Sequence, residues 1–105
     1  MDDSTLQAGP ITVDTRYRDR ASVHGRSIDL TEIEHRLLVT LLRHRGLPLS
    51  RAWLHRNVWR RDLTNDSRTV AMHVSRLRVK LGRAGKLIQT VRGVGYRFDY
   101  PLPRR

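Results

Sequence analysis

A chain of 105 residues with 38% hydrophobic content supports one domain around one core. Its 21 Lys and Arg against 10 acids give a formal charge of +11, which points first to a polyanionic partner. The absence of cysteine excludes disulfides and thiolate metal sites. No apolar run approaches the roughly 18 residues of a membrane span, and the acidic start at Asp2 and Asp3 fits neither a secretory signal nor a transit peptide, so a cytoplasmic location is expected.

Residues 1–10 read as a flexible lead-in closed by Gly9-Pro10, residues 11–100 as the folded domain and residues 101–105 as a tail. From Ile11 to Leu30 the apolar residues are sparse and alternate: Ile11 and Val13, then Ile28 and Leu30. Short β-branched stretches broken by Asp14, Asp19 and His24-Gly25 predict a small antiparallel sheet with one wet face.

The period then changes. Thr31-Glu32-Ile33-Glu34 has the spacing of a capping box, in which the Thr hydroxyl and the Glu carboxylate satisfy amides that a new helix leaves unpaired. Behind it Ile33, Leu37, Leu38, Leu41 and Leu42 share one helical face, and Gly46 with Pro48 ends the run. Ser50 is placed to cap a second, shorter helix from Arg51 to about Trp59, facing inward through Leu54 and Val58.

Arg60 to Ser67 has no apolar periodicity and ends in the cap-forming Asn65-Asp66-Ser67, which predicts a loop. A third helix is expected from about Arg68 to Leu81, closed by Gly82. After it, Leu87–Val91 and Tyr96–Asp99 flank Arg92-Gly93-Val94-Gly95, where two glycines permit the positive φ of a tight reversal. Sheet, three helices and a C-terminal hairpin give an α+β fold of the winged helix-turn-helix kind.

The charge is clustered. Residues 1–34 carry four Arg and seven acids, whereas Arg43 to Lys86 carries twelve cations against Asp62 and Asp66 alone. On a wheel of about 100° per residue, Val70, Val74, Leu77 and Leu81 form the inner stripe of helix three. The outer face then holds Arg68, Met72, Ser75, Arg76, Val79 and Arg83, flanked by Arg78 and Lys80. No acid occurs from Arg68 through Lys86, as a phosphate-facing surface requires, because each carboxylate would repel the backbone it meets. Met72 and Val79 suit thymine methyls in a major groove, Arg76 can fork onto a guanine edge, and Lys80 is a flanking cation for phosphate. Arg92, at the hairpin tip, suits a narrow minor groove.

These strings also carry a resemblance. Leu30-Thr31-Glu32-Ile33-Glu34, the opening Arg68-Thr69-Val70 with Met72-His73-Val74, Leu77-Arg78-Val79-Lys80-Leu81, and Ile88 through Phe98 resemble the winged-helix output domain of OmpR/PhoB-type response regulators over about Ile11 to Tyr100. The resemblance implies a four-stranded N-terminal sheet, helix three in the major groove and the wing over the adjacent minor groove. It implies base contacts from Ser75 and Arg76, phosphate contacts from Arg68, His73, Arg78 and Thr90, and a minor-groove contact from Arg92. It further implies an RNA polymerase contact from the loop at Arg60, Arg61, Asp62 and Leu63, and head-to-tail binding on direct repeats. The chain departs from the family at Ala71, where an acidic or amide residue is common, and at Ser75, where a second base often stands, so its base preference is expected to differ. No phosphoacceptor receiver domain is present in these residues, which makes the chain either an output half or a domain regulated from elsewhere.

Competing readings are weaker. His24, His35, His44, His55 and His73 lack metal spacing, no carboxylate has a partner nucleophile, and Gly93-Val94-Gly95 precedes a strand, so neither catalysis nor a cofactor, metal or small-molecule substrate is expected. A double-stranded RNA binder would leave helix three without a groove to enter, since the A-form major groove is too narrow. A protein-interaction module on the same scaffold would leave the acid-free face unexplained.

Overall fold

The computed structural model describes residues 4–59 and 67–99. Its first layer is a four-stranded antiparallel sheet in the order β1 (Thr5–Ala8), β2 (Ile11–Asp14), β3 (Ala21–Val23) and β4 (Arg26–Ser27). The lead-in expected over residues 1–10 is therefore, from Thr5 onward, an edge strand paired to β2 with Ala8 opposite Ile11. Only Leu6 and Ala8 of that strand turn inward, which is too little alternation to register as a strand in the sequence. Gly9 at φ +59° leads the two-residue reversal, so Gly9-Pro10 joins two strands instead of closing a loose segment. The His24-Gly25 turn lies where expected: both residues take positive φ, as a two-residue turn between β3 and β4 demands.

Helix α1 (Glu32–Arg43) begins with the full capping box: Glu34 N–H donates to the Thr31 hydroxyl, and the Thr31 amide donates to the Glu34 carboxylate. Leu37, Leu38 and Leu41 are wholly buried, so α1 sits at the centre of the core. Each such leucine stabilises the fold by roughly 1.5–3 kcal/mol relative to exposure. Ile11 and Val13 from β2, Val70, Val74 and Leu77 from the third helix, and Phe98 from the hairpin close around it with no exposed surface.

The second helical segment runs over residues 51–59 as expected, but not as one regular α-helix. After α2 (Arg51–Leu54), capped by the Ser50 hydroxyl accepting from Trp53 N–H, the chain widens into a π-helical turn over His55–Trp59. Leu54, His55, Val58 and Trp59 are all buried on the inner face of this segment. A two-residue strand, β5 (Leu49–Ser50), precedes α2 and pairs antiparallel with the hairpin. Helix α3 (Ser67–Leu81) follows, ended by Gly82 at φ +63°, and a 3-10 turn over Gly82–Leu87 leads into β6 (Ile88–Val91) and β7 (Gly95–Phe98). The second sheet thus has the order β5-β7-β6.

Of the two hairpin glycines only Gly93 takes positive φ, at +78°. Gly95 serves differently: a β-carbon there would collide with the Leu49 carbonyl oxygen, so the missing side chain is what lets β5 lie against β7. Among the described residues no helix is long and apolar enough to cross a membrane.

Candidate nucleic-acid interface

The inner stripe of α3 is buried as the helical period requires: Val70, Val74 and Leu77 are wholly inaccessible and Leu81 nearly so. Packing of that stripe on α1 leaves the opposite face to solvent. Arg68, Met72, Ser75, Arg76, Val79 and Arg83 are all exposed. Val79 is 77% accessible and Met72 44%, values at which apolar side chains lose the benefit of burial, so they add nothing to the core. Met72, Ser75, Arg76 and Val79 fall at i, i+3, i+4 and i+7. At 1.5 Å per residue this row spans about 10 Å, close to three base steps of 3.4 Å.

The flanking residues differ from this row in that several are already engaged. Lys80 Nζ lies 2.6 Å from the carboxylate of Glu34, which is itself buried in the first turn of α1. Burial opposes ionisation of Glu34, but the hydrogen bonds from Lys80 and the Thr31 amide outweigh it and hold the carboxyl below the usual range. His73 Nδ1 donates to the Thr69 carbonyl at 2.8 Å, and its ring meets Trp59 edge-on at 5.1 Å. Trp59 in turn stacks on His55 at 5.5 Å, so the π-helical turn buttresses the middle of α3.

Arg78 is half-buried. Its Nε and Nη2 donate to the Ile88 carbonyl at 3.1 and 2.8 Å, and Nη2 also donates to the Thr90 hydroxyl at 2.9 Å. Thr90 itself is exposed on β6. At the wing tip Arg92 and Val94 are exposed on either side of Gly93, and Val94 N–H donates to the Val91 carbonyl to close the turn. The structure therefore groups Met72, Ser75, Arg76 and Val79 in one open row, with Arg68 and Ala71 exposed at its start and Arg92 on the neighbouring hairpin. Arg60, Arg61, Asp62 and Leu63 lie outside the described residues.

Sequence reasoning missed three contributors. Val94 reads as a turn filler but presents an apolar side chain at the tip, 42% exposed. Glu34 reads as a capping residue only, since no local signal links it to Lys80, 46 residues away. The short β5 hides in what reads as a loop, and its one visible trace is Gly95.

A cleft of about 580 Å³ lies between the β2–β3 loop and α1, lined by Arg16, Tyr17, His35, Arg36, Arg43 and neighbours, and no residue of α3 or the hairpin contributes to it. The exposed row of α3 therefore lies apart from this cleft. Among the described residues no three His, Cys, Asp or Glu side chains converge as metal ligands would.

Comparison with known proteins agrees with this geometry. The family described as "Transcriptional regulatory protein, C terminal" matches residues 25–98. The transcriptional regulatory protein PrrA of Mycobacterium tuberculosis is 43% identical over 94 residues, covering 88% of this chain and 40% of PrrA. The chain thus spans less than half of that relative. Among solved structures, the DNA-binding domain of CpxR from E. coli superposes with a TM-score of 0.77 at 34% identity, covering 90% of this chain and 94% of that one. The Klebsiella pneumoniae RstA DNA-binding domain, solved in complex with the RstA box, gives 0.77 at 31% identity over 90% of this chain and 95% of that one.

Proposed function

The chain belongs to the family of transcriptional regulatory protein C-terminal domains, of the OmpR/PhoB winged-helix type, and from that premise we propose that it binds double-stranded DNA sequence-selectively as a transcription-regulating output domain. The observation that carries this reading is the open, carboxylate-free row on α3 beside an Arg-tipped hairpin. Negative phosphates favour such a surface, and the released counterions supply sequence-independent affinity.

Within this reading Arg76 forks onto a guanine edge, Met72 and Val79 meet thymine methyls about three base steps apart, and Ser75 contacts a base between them. Arg68, His73, Arg78, Lys80 and Thr90 serve the phosphate backbone. The engagement of Lys80 with Glu34 and of Arg78 with β6 makes these two pre-positioned contacts with little side-chain entropy left to lose. Arg92 enters the adjacent minor groove. Two copies bind head to tail on direct repeats, and residues 60–63 contact RNA polymerase.

A binding selection from a random duplex library, run with the purified chain, tests the reading. A recovered motif of about three specified base pairs containing guanine, repeated in one direction, supports it. Recovery without any motif, or stronger capture of double-stranded RNA, contradicts it. Alanine scanning of residues 60–63 in a transcription assay tests the polymerase contact, which predicts lost activation with unchanged DNA binding.

A further inference from the structure

We infer that Arg78 is a positioning residue: it clamps the hairpin to α3 and aims the Thr90 hydroxyl, so that the helix and the wing act as one rigid reader with a fixed span. The bond pattern carries the inference. Three hydrogen bonds run from one guanidinium to two residues of β6, with two of them converging on the Ile88 carbonyl. A guanidinium has five N–H donors in a planar fork, so this arrangement fixes the plane of the fork as well as its position.

The surroundings hold the guanidinium in place. The 3-10 turn after α3 folds back so closely that a β-carbon on Gly85 would collide with the Arg78 backbone oxygen and approach its Cα at 2.9 Å. This close approach brings the start of β6 within reach of the Arg78 side chain. Below the fork lies Tyr96 of β7, 4% exposed, with the guanidinium carbon of Arg78 5.7 Å from its ring centre and that of Arg51 at 5.8 Å. Tyr96 pairs with both Thr90 and Leu49 across its two neighbours, so the cation reaches all three strands of the small sheet directly or through one residue.

The chemistry at Thr90 follows from donor counting. A hydroxyl has one hydrogen and two lone pairs. By accepting from Arg78 Nη2 at 2.9 Å, Thr90 keeps its hydrogen for an outside acceptor. The adjacent positive charge polarises that O–H and favours an anionic partner. The two Nη1 hydrogens of Arg78 have no partner among the described residues, so one phosphate oxygen can receive from the guanidinium while another receives from Thr90. This part of the inference rests on the DNA-binding reading above, whereas the clamping of the hairpin does not.

Two measurements separate them. In the free chain, 15N relaxation of Val91–Gly95 in Arg78→Lys, which keeps the charge and loses the fork, is expected to drop the order parameters from the rigid range near 0.85 to below about 0.6. The α3 amides should be unchanged. Wild-type values in the variant hairpin would overturn the clamp whatever the chain binds.

On a selected duplex with an A·T-rich flank, Arg92→Ala is expected to weaken binding strongly in the wild type and little in the Arg78→Lys background, because a loose wing no longer delivers Arg92 to one place. Fold losses that simply multiply would overturn the coupling, since a residue that merely touches phosphate acts independently. Thr90→Val should weaken specific and random duplexes alike by about ten-fold. It should leave the salt dependence unchanged, because the lost group is neutral, and it should keep the hairpin rigid through the Ile88 bonds. Undiminished affinity in that variant would overturn the hydroxyl's role. If Arg92→Ala changes nothing in the wild type, the groove-reading wing fails, and the relaxation data still decide the clamp.

Discussion

Lys80 and Glu34 meet at 2.6 Å, joining the late turns of α3 to the first turn of α1. The same Glu34 oxygen accepts the Thr31 amide at 2.9 Å, so one carboxylate caps the central helix and anchors the reading helix. Its folded-state pKa is lowered against the opposing effect of burial. A depressed carboxyl pKa contributes stability that is complete above the unfolded value, near 4.3, and is lost as pH falls through the folded one. Glu34→Gln retains an oxygen acceptor but not the charge. It is expected to cost about 1–3 kcal/mol at pH 7, below the full penalty for a buried pair because Lys80 is partly exposed, and to flatten the acid limb of the stability curve. Urea unfolding from pH 3 to 7 measures both. Coincident curves for variant and wild type would show the pair to be without effect; Asp14, whose pKa is lowered chiefly by a hydrogen bond from Arg16, contributes the same slope to each.

Gly95 and Gly93 predict opposite sensitivities within one hairpin. At Gly95 the backbone conformation suits any residue and the obstacle is the Leu49 carbonyl, so Gly95→Ala must push β5 away from β7, at about 1–3 kcal/mol. At Gly93 there is open space but φ is +78°, so Gly93→Ala costs about 1–2 kcal/mol of backbone strain and leaves β5 in place. Denaturant midpoints rank the two. Loss of the cross-strand contacts between β5 and β7, read as lost nuclear Overhauser effects between Leu49–Ser50 and Gly95–Tyr96, should accompany Gly95→Ala alone, and its absence would show that the contact does not hold β5.

Arg76→Ala is expected to remove discrimination at one or two base pairs, costing roughly 1–3 kcal/mol on the selected duplex and much less on random DNA. Competition binding on duplexes substituted one position at a time checks this. Equal losses on both duplexes would move Arg76 to the phosphate backbone.

Binding should weaken steeply with salt. If about five phosphates are neutralised, the log–log slope is about −4.5. A titration series between 50 and 200 mM salt, roughly the range over which such contacts are felt, measures it. A flat response would remove the electrostatic basis of the interface.

Much of the fold was legible because it rests on local signals. The capping box at Thr31 and Glu34, the alternating four- and three-residue spacing of Val70, Val74, Leu77 and Leu81, and the glycine-marked reversals at His24-Gly25 and Gly93 each specify a structure within one turn or one stripe. What escaped depends on distant partners. β1 exists because β2 offers it an edge, and β5 because Gly95 leaves room for it. The π-helical turn carries Trp59 against His73 of α3, a contact that no local pattern announces. The same division holds at the surface. Periodicity alone places Met72, Ser75, Arg76 and Val79 outward. Nothing near Arg78 or Lys80 in the chain announces that one cation would hold the hairpin and the other Glu34.

The most direct test follows backbone amide shifts of the chain during titration with its selected duplex. The account predicts the largest changes at Met72, Ser75, Arg76 and Val79 and at Arg92 through Val94, with the cleft residues Arg16, Tyr17 and Arg43 unmoved. Changes centred on that cleft or on the exposed face of the first sheet, with the α3 row silent, would contradict it.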